Sequence, residues 1–314
     1  MTVIIPKKAY LAIVAASVRF ANKSIPFNEW TEVSGVFIGN IKGNDVLISE
    51  AYPIMHQKYD KNAVIDQYKY SEEDHLSFAL IDDAAFAKGE FTVGWWHSHP
   101  SMKLMMSHFD IHTTLSYQTN NPLAFCLTFN PTRLTKQIEL ADKKGDPDIK
   151  LENDPGFLIY RLDNIDPNST YHEVDYKIDG YDNLYQAMKQ GQEYEKATAL
   201  LFPKSDVFNT YNNFIDDKLA QLNSKISGTE DYLKTLTFKG EANRIPEVLQ
   251  NQTKDINKYV AESFMKIENI REFLDFLEYK ERDKVVPKVN DILMRFDEAI
   301  IIVQEKIKEL SKKF

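Results

Sequence analysis

Two histidines, a serine and an aspartate form the group of residues in this sequence that is best suited to chemistry. His97 and His99 are separated by one residue, and Ser107 and Asp110 follow shortly after them. Side chains alternate along a strand, so an extended segment over 91–99 would place both imidazoles on one face. Two imidazoles and a nearby carboxylate are ligands of the kind that hold a catalytic zinc, which keeps one coordination position open.

Ser107 and Asp110 stand at a predicted helix start. In one interpretation they only begin the helix, with Ser107 as the N-cap and Asp110 favoured in the first turn by the helix dipole. In the other, Asp110 is the third zinc ligand and the same turn places it. The two interpretations are compatible, so we expect a zinc site at His97, His99 and Asp110, with Ser107 beside it.

Hydrolysis at such a site also needs a group that takes a proton from water and passes it to the leaving group. Glu32, at the start of a predicted strand, is the candidate for this general acid/base. Glu29 and Glu50 are lesser candidates. The residue pattern alone does not rank the three securely.

The cysteine count excludes a different class of zinc enzyme. Zinc deaminases require a Pro-Cys-x-x-Cys pair, whereas this chain has one cysteine, Cys126. Cys126 lies in an apolar run and is expected to be a buried structural thiol. His108 and His112 stand one helical turn apart without a His-Glu-x-x-His pattern, and we expect them either on a solvated face or just outside the ligands.

The order and spacing of the candidate residues resemble the JAMM motif of the MPN-domain metalloproteases. The matching block is His97-Ser98-His99-Pro100, then Ser107-His108-Phe109-Asp110. This MPN+ family includes the deubiquitinating subunit of the proteasome lid, which carries its glutamate in a segment similar to 32–39. The resemblance covers about residues 1–180.

The resemblance implies a role for each candidate residue. His97, His99 and Asp110 would bind one catalytic Zn²⁺, and Glu32 would be the general acid/base. Ser107 would donate a hydrogen bond to the oxyanion of the reaction.

One segment departs from the lid protease. There, glycines follow the His-Pro pair and allow a tight loop beside the substrate tail. In this chain the segment reads Ser101-Met102-Lys103-Leu104-Met105-Met106. The stretch over 110–118 is more similar to the endosomal branch of the family.

The family resemblance also implies a reaction and partners. The expected reaction is hydrolysis, by a zinc-activated water, of the isopeptide bond between the C-terminus of ubiquitin, or a ubiquitin-like protein, and a lysine. A place at the proteasome is part of this expectation. The alternative is a catalytically silent MPN scaffold subunit in a larger assembly. We further expect association with a second MPN protein or with itself, and a segment over 57–70 that folds over the ubiquitin tail.

Composition argues against two other kinds of partner. The chain of 314 residues carries a net charge of −9, which opposes binding to nucleic acid or to an anionic membrane surface. No stretch approaches the ~20 apolar residues that span a bilayer. A single cysteine suits a reducing compartment, so we expect a cytoplasmic protein.

The pattern of apolar residues predicts two regions. Mixed helix and strand signals over 1–180 predict an α+β fold, an MPN domain with a mixed sheet flanked by helices. Over 181–314, apolar residues recur at steps of three and four, which is typical of amphipathic helices and predicts an all-α assembly region. Within it, Gly228 and Gly240 are expected to bracket a connection, and Pro287 to separate the last two helices.

Overall fold

The computed structural model describes residues 1–57, 70–134, 154–201 and 206–314. In chain order, the strands are β1 (Thr2–Pro6), β2 (Glu32–Lys42), β3 (Asp45–Gln57), β4 (Phe91–Ser98), β5 (Phe125–Phe129), β6 (Phe157–Leu162), β7 (Tyr171–Glu173) and β8 (Asp175–Asp179). The helices are α1 (Lys7–Phe20), α2 (Glu72–Phe86), α3 (His108–Asn120), α4 (Leu184–Leu201), α5 (Val207–Phe238), α6 (Ile245–Glu272) and α7 (Tyr279–Lys313). Short 3₁₀ helices lie at Phe27–Glu29, Ala242–Arg244 and Phe273–Phe276.

The strands form one eight-stranded sheet in the order β7-β6-β5-β4-β2-β3-β1-β8. Strand β1 runs parallel to β3 and β8, and β4 runs parallel to β5. The remaining neighbours are antiparallel. The predicted α+β fold with a mixed sheet is therefore confirmed, and β4 occupies an interior position with β2 and β5 on either side.

Strands β2 and β3 form a hairpin and pair antiparallel around a turn. Gly43 in that turn has φ +65°, a left-handed conformation that glycine adopts without strain. The stretch over 171–179 contains the two short strands β7 and β8, which are separated by Val174. They lie at opposite edges of the sheet, because β7 pairs with β6 and β8 pairs with β1.

Two predicted helix breaks are wrong. Gly228 lies inside α5, and Pro287 lies inside α7. One such residue costs about 1 kcal/mol for glycine and about 3 kcal/mol for proline, which the packing of a long apolar face can exceed. The actual breaks are Gly240, with φ +75°, and the 3₁₀ helix Phe273–Phe276.

The chain folds into two compact units. The first comprises Met1–Lys204 with Asp275–Arg282, and the second comprises Ser205–Leu274 with Asp283–Phe314. The core of the second unit is an apolar cluster whose buried members are Ile215, Ile267, Ile270, Val289, Ile292, Phe296 and Ala299. The division of function at residue 180 stays a prediction.

Helix α4 belongs to the first unit because it packs closely on α1. A Cβ atom at Gly191 of α4 would lie 2.4 Å from the hydroxyl oxygen of Tyr10 in α1. That hydroxyl group is buried and donates a hydrogen bond to the carbonyl of Pro155 at 3.0 Å. Glycine at position 191 is thus a requirement of the close helix approach.

The segment Asp275–Arg282 joins the first unit through ion pairs. Glu281 accepts two hydrogen bonds from Arg19 in α1, at 2.5 and 2.9 Å. Lys280 pairs with Asp74 in α2 at 2.8 Å, and the buried carboxylate of Glu278 contacts Lys280 at 3.2 Å. These contacts anchor a late part of the sequence beside the beginning of α2.

None of the helices in the described part of the chain is both long enough and apolar enough to cross a membrane.

We expect substitution of Arg133 by methionine to destabilise the first unit by about 3–5 kcal/mol, because it breaks a buried ion pair with the Asp154 carboxylate. The two side chains are 2% and 6% exposed and lie 2.6 Å apart. Urea unfolding followed by tryptophan fluorescence measures the change, since Trp30, Trp95 and Trp96 all lie in the first unit.

The matched control is Lys177→Met, which removes the exposed Lys177–Asp179 pair. Water screens that pair, so we expect little change in the free energy of unfolding. Equal losses for the two substitutions would contradict the role assigned to the buried pair.

Candidate metal centre

Strand β4 presents the two histidines from the interior of the sheet. His97 pairs with Ser34 of β2 and with Thr128 of β5. The side chain of His97 is completely buried, and its ring stacks on Trp95 with centroids 4.6 Å apart. His99 lies just past the end of β4, and its backbone N–H donates to the carbonyl of Phe129 at 2.6 Å.

Asp110 reaches the same point from the first turn of α3. The backbone N–H of Ser107 donates to Asp110 Oδ2 at 2.7 Å, and the N–H of Asp110 donates to Ser107 Oγ at 3.2 Å. This is a complete capping box. Trp95 Nε1 donates to Thr114 Oγ1 at 3.0 Å, which ties α3 to β4. The helix cap predicted from the sequence is therefore present, and it also directs the carboxylate.

The three side chains converge. His97 Nε2 lies 3.0 Å from His99 Nε2 and 3.3 Å from Asp110 Oδ1. His99 Nε2 lies 3.8 Å from Asp110 Oδ2. One ligand atom from each of the three residues falls within 4.8 Å of the others, an arrangement that could hold a metal ion.

The electrostatics of the group suit a cation. Burial opposes charge on His97, but the Asp110 carboxylate and Cys126 hold the pKa of His97 well above its usual range. Burial and the charge on His97 lower the pKa of His99 to about 4. Burial opposes the Asp110 carboxylate, yet attraction to His97 lowers its pKa to about 2. A carboxylate and a neutral imidazole therefore face one point, which a divalent cation would complement while displacing the proton of His97.

Each histidine has an outer partner for its other ring nitrogen. His99 Nδ1 lies 2.9 Å from the carbonyl oxygen of Lys103, and His97 Nδ1 lies 3.6 Å from Cys126 Sγ. Such contacts orient metal-binding histidines with Nε2 toward the ion. The donor set of two imidazoles and one carboxylate thus fits zinc with a position left for water.

Cys126 is buried, as predicted, but its contact with His97 was not predicted. Its reason is the parallel pairing of β4 with β5, which places Cys126 and Thr128 beside the histidine strand. Sequence alternation identifies both as members of a strand, but it does not reveal which strand is the neighbour.

Glu32 is the first residue of β2 and lies two residues before Ser34. Ser34 pairs directly with His97 in the antiparallel β2–β4 ladder. If the ladder continued by two residues in the same register, Glu32 would stand opposite His99 and on the same face, because side chains share a face every second residue. Glu32 is partly exposed, whereas His97 is buried, so the glutamate lies toward the solvent side of the group.

The other two candidate glutamates lie elsewhere. Glu29 is exposed in the 3₁₀ helix Phe27–Glu29. Glu50 pairs with Lys8 at 2.9 Å. On β2, Glu50 aligns with Ile38, which pairs with the start of β4 rather than with its histidine end. The sheet register therefore places Glu50 away from the histidine end of β4, and the choice of Glu32 as general acid/base stays a prediction.

A glycine in β2 accommodates the centre of the sheet. A Cβ atom on Gly35 would lie 2.2 Å from the carbonyl oxygen of Tyr52 and 2.6 Å from Trp96 Nε1. The buried indole of Trp96 therefore occupies the space that a larger residue at position 35 would need. This explains the glycine in the segment over 32–39.

Two further predictions concern the surroundings. His108 and His112 are exposed, as predicted, with ring centroids 4.6 Å apart. The segment over 57–70 lies outside the described residues except for its two ends. Its predicted role over the ubiquitin tail therefore stays a prediction.

Comparison with known proteins identifies the first part of the chain. Residues 1–123 match the protein-family model described as JAB1/Mov34/MPN/PAD-1 ubiquitin protease. AMSH-like ubiquitin thioesterase 2 of Arabidopsis thaliana is 37% identical over 70 residues, which cover 21% of this chain and 31% of that protein. COP9 signalosome complex subunit 5 of Oryza sativa subsp. japonica is 29% identical over 104 residues, 32% of this chain and 28% of that protein.

STAM-binding protein of Rattus norvegicus is 28% identical over 100 residues, 32% of this chain and 21% of that protein. The chain thus matches less than a third of the length of each of these relatives. The matched part of the chain includes the histidine strand and the start of α3. The first part of this chain, which contains the mixed sheet and the converging His-His-Asp group, is thus similar to the JAB1/Mov34/MPN/PAD-1 family.

Proposed function

We propose that this protein is a zinc-dependent isopeptidase of the deubiquitinase type. The observation that carries the proposal is the convergence of His97, His99 and Asp110 within 4.8 Å, at the end of a strand whose neighbour begins with Glu32. The bond cleaved would join the C-terminus of ubiquitin, or of a ubiquitin-like protein, to a lysine.

The metal ligands in this proposal are His97, His99 and Asp110. A zinc ion bound there would supply a Lewis acid that polarises the scissile carbonyl and lowers the pKa of water. The carbonyl of Lys103 orients the imidazole of His99 through His99 Nδ1, and the thiol of Cys126 orients the imidazole of His97 through His97 Nδ1. The capping box holds the carboxylate, so the ligands are preorganised by backbone and outer contacts.

Glu32 moves the proton. Its carboxylate takes a proton from the attacking water and delivers it to the lysine amine as that amine leaves. Its partial exposure keeps it in reach of solvent and substrate, whereas a fully buried carboxylate would resist ionisation. Its place two residues before Ser34, which pairs with His97, supports this role over Glu29 and Glu50.

Ser107 stabilises the developing negative charge on the carbonyl oxygen of the substrate. Its Oγ already accepts the N–H of Asp110, so its own hydroxyl proton is available to donate. Because Ser107 is exposed at the start of α3 and its N–H contacts the ligand Asp110, it lies beside the proposed reaction centre.

The substrate class rests on the relatives. One relative is named as a ubiquitin thioesterase and another as a STAM-binding protein, and the matching family is described as a ubiquitin protease. A place at the proteasome, a cytoplasmic location and association through a second MPN protein or the helical C-terminal region remain predictions. A silent scaffold is the competing function, but every residue of the motif is present in this chain.

Asp110→Asn should remove zinc from the purified protein. The amide oxygen still accepts the N–H of Ser107, so the helix cap survives while the anionic ligand is lost. We expect zinc affinity to fall by more than the ~10–100-fold that changes in outer partners cause. Metal analysis measures zinc per chain, and a chelator should abolish cleavage by the wild type until zinc is restored.

Asp74→Asn is the matched control for this substitution. Asp74 holds the same place in the capping box of α2, where it pairs with Lys280 rather than with histidines. We expect this variant to keep its zinc. Wild-type protein without zinc after loading would refute the metal site.

Glu32→Gln should retain zinc but lose cleavage of a di-ubiquitin panel. Loss of a positioned general acid/base lowers the rate by about 10²–10⁴-fold. Glu29→Gln changes a nearby exposed glutamate and should leave the rate unchanged. Equal rates for Glu32→Gln and the wild type would contradict the assignment, and zinc without cleavage in the wild type would favour the scaffold.

Ser107→Ala and Ser71→Ala separate catalysis from helix capping. Both serines accept the N–H of an aspartate three residues on, at 3.2 Å. Each substitution should therefore cost about 1 kcal/mol of stability. Only Ser107→Ala should also lower kcat, by about 10²–10³-fold if the hydroxyl stabilises the oxyanion. A similar kcat for the two variants would mean that Ser107 caps the helix and has no part in catalysis.

A further inference from the structure

The orientation of His99 depends on a turn that follows it. His99 Nδ1 lies 2.9 Å from the carbonyl oxygen of Lys103, and this hydrogen bond directs Nε2 toward His97 and Asp110. The position of this carbonyl depends on the backbone conformation over 101–103. Whatever holds this turn therefore also holds the histidine.

The turn adopts a backbone conformation that its sequence does not favour. Ser101 has φ +61° and is the only described residue other than glycine with a positive φ. A Cβ atom makes this left-handed region unfavourable, whereas glycine enters it readily. The turn closes with a hydrogen bond from the N–H of Met102 to the carbonyl of His99, at 3.1 Å.

Asn130 binds both sides of the turn from the end of β5. Its Nδ2 donates to the carbonyl of Met102 at 2.6 Å, and its Oδ1 accepts the N–H of Ser101 at 3.4 Å. The residue is 3% exposed, and its own N–H donates to the carbonyl of Gly156 at 2.7 Å. Asn130 is thus fixed at the end of β5, and it holds the turn from the sheet.

We propose that Asn130 is a positioning residue for His99. It holds the unfavourable Ser101 turn closed, so that the Lys103 carbonyl orients the imidazole for metal binding. The inference rests on the proposed function, because it assigns a part in zinc binding to a residue that contacts neither metal nor substrate. Asn130 contacts the carbonyl of Met102, and its effect passes along the backbone to the Lys103 carbonyl and from there to the imidazole of His99.

A local structural role has to be separated from this one. Asn130 Oδ1 also accepts two hydrogen bonds from Thr132, from its N–H at 2.9 Å and from its hydroxyl at 2.7 Å. These bonds shape the chain after β5 and do not involve the turn. Thr132→Val removes the hydroxyl contact at similar side-chain volume and leaves the contacts to Ser101 and Met102 in place.

The experiment compares Asn130→Ala, Thr132→Val, Ser101→Gly and the double variant Ser101→Gly/Asn130→Ala in the full chain. Zinc affinity is measured by competition with a chelator, kcat and KM with di-ubiquitin, and Tm on the metal-free proteins. We expect Asn130→Ala to lower zinc affinity by about 10–100-fold and kcat with it, with KM little changed. Thr132→Val should bind zinc as the wild type does.

Ser101→Gly gives the decisive comparison. Alone, it should keep zinc affinity and leave Tm equal or higher, because glycine relieves the backbone. In the double variant, Ser101→Gly should restore part of the zinc affinity that Asn130→Ala loses. The turn is then no longer strained, so it keeps its conformation without the hydrogen bonds from Asn130. A merely structural role predicts a lower Tm with unchanged zinc affinity and no recovery.

Two negative results have different meanings. If the wild type binds zinc and Asn130→Ala binds it equally well, the positioning role is overturned and the proposed function stands. If Asn130→Ala binds zinc weakly and the added substitution Ser101→Gly restores none of the zinc affinity, the strained-turn explanation is overturned. Absence of zinc from the wild type would overturn the proposed function itself.

Discussion

The burial of three polar side chains at one point is the constraint on which this structure depends. Asp110, His97 and His99 are almost fully removed from water, although a buried charge costs several kcal/mol unless partners compensate. Compensation comes from every side: the N–H of Ser107, the carbonyl of Lys103, the thiol of Cys126 and the mutual attraction of the group. A site so fully supported is arranged for a cation.

The same local motif serves two purposes in this fold. Ser-x-x-Asp begins both α2 and α3 and forms the same capping box in each. In α2 the aspartate pairs with Lys280, which arrives from much later in the chain, and the result is an anchor. In α3 the aspartate faces two histidines, and the result is a candidate metal centre. The neighbours supplied by the sheet decide the difference.

The backbone near the site is accommodated in two ways, by a glycine at position 35 and by hydrogen bonds to the turn at Ser101. The interior of the sheet uses glycine where the backbone or an indole approaches closely, as at Gly35. The turn after His99 instead places Ser101 in a left-handed conformation, and a buried asparagine holds it there. The lid proteases that the motif resembles have glycines at this place, whereas in this chain side-chain hydrogen bonds from Asn130 support the turn.

The sequence by itself determined the identities and local geometry of the site. Alternation along a strand predicted that His97 and His99 share a face, and the Ser107–Asp110 spacing predicted the helix start, because both depend only on short-range backbone geometry. Amphipathic spacing predicted the helices after residue 180. It failed at Pro287, since one unfavourable residue is outweighed by a long packed face.

Tertiary structure alone decided which distant residues join the histidines. The β2–β4 register, rather than any local pattern, pairs Ser34 with His97 and aligns Glu50 with the opposite end of β4. Parallel pairing with β5 places Cys126 beside His97, and the end of β5 supplies Asn130 to the turn after His99. Strand neighbours and register arise from the packing of the whole sheet, and a single strand carries no record of its partners.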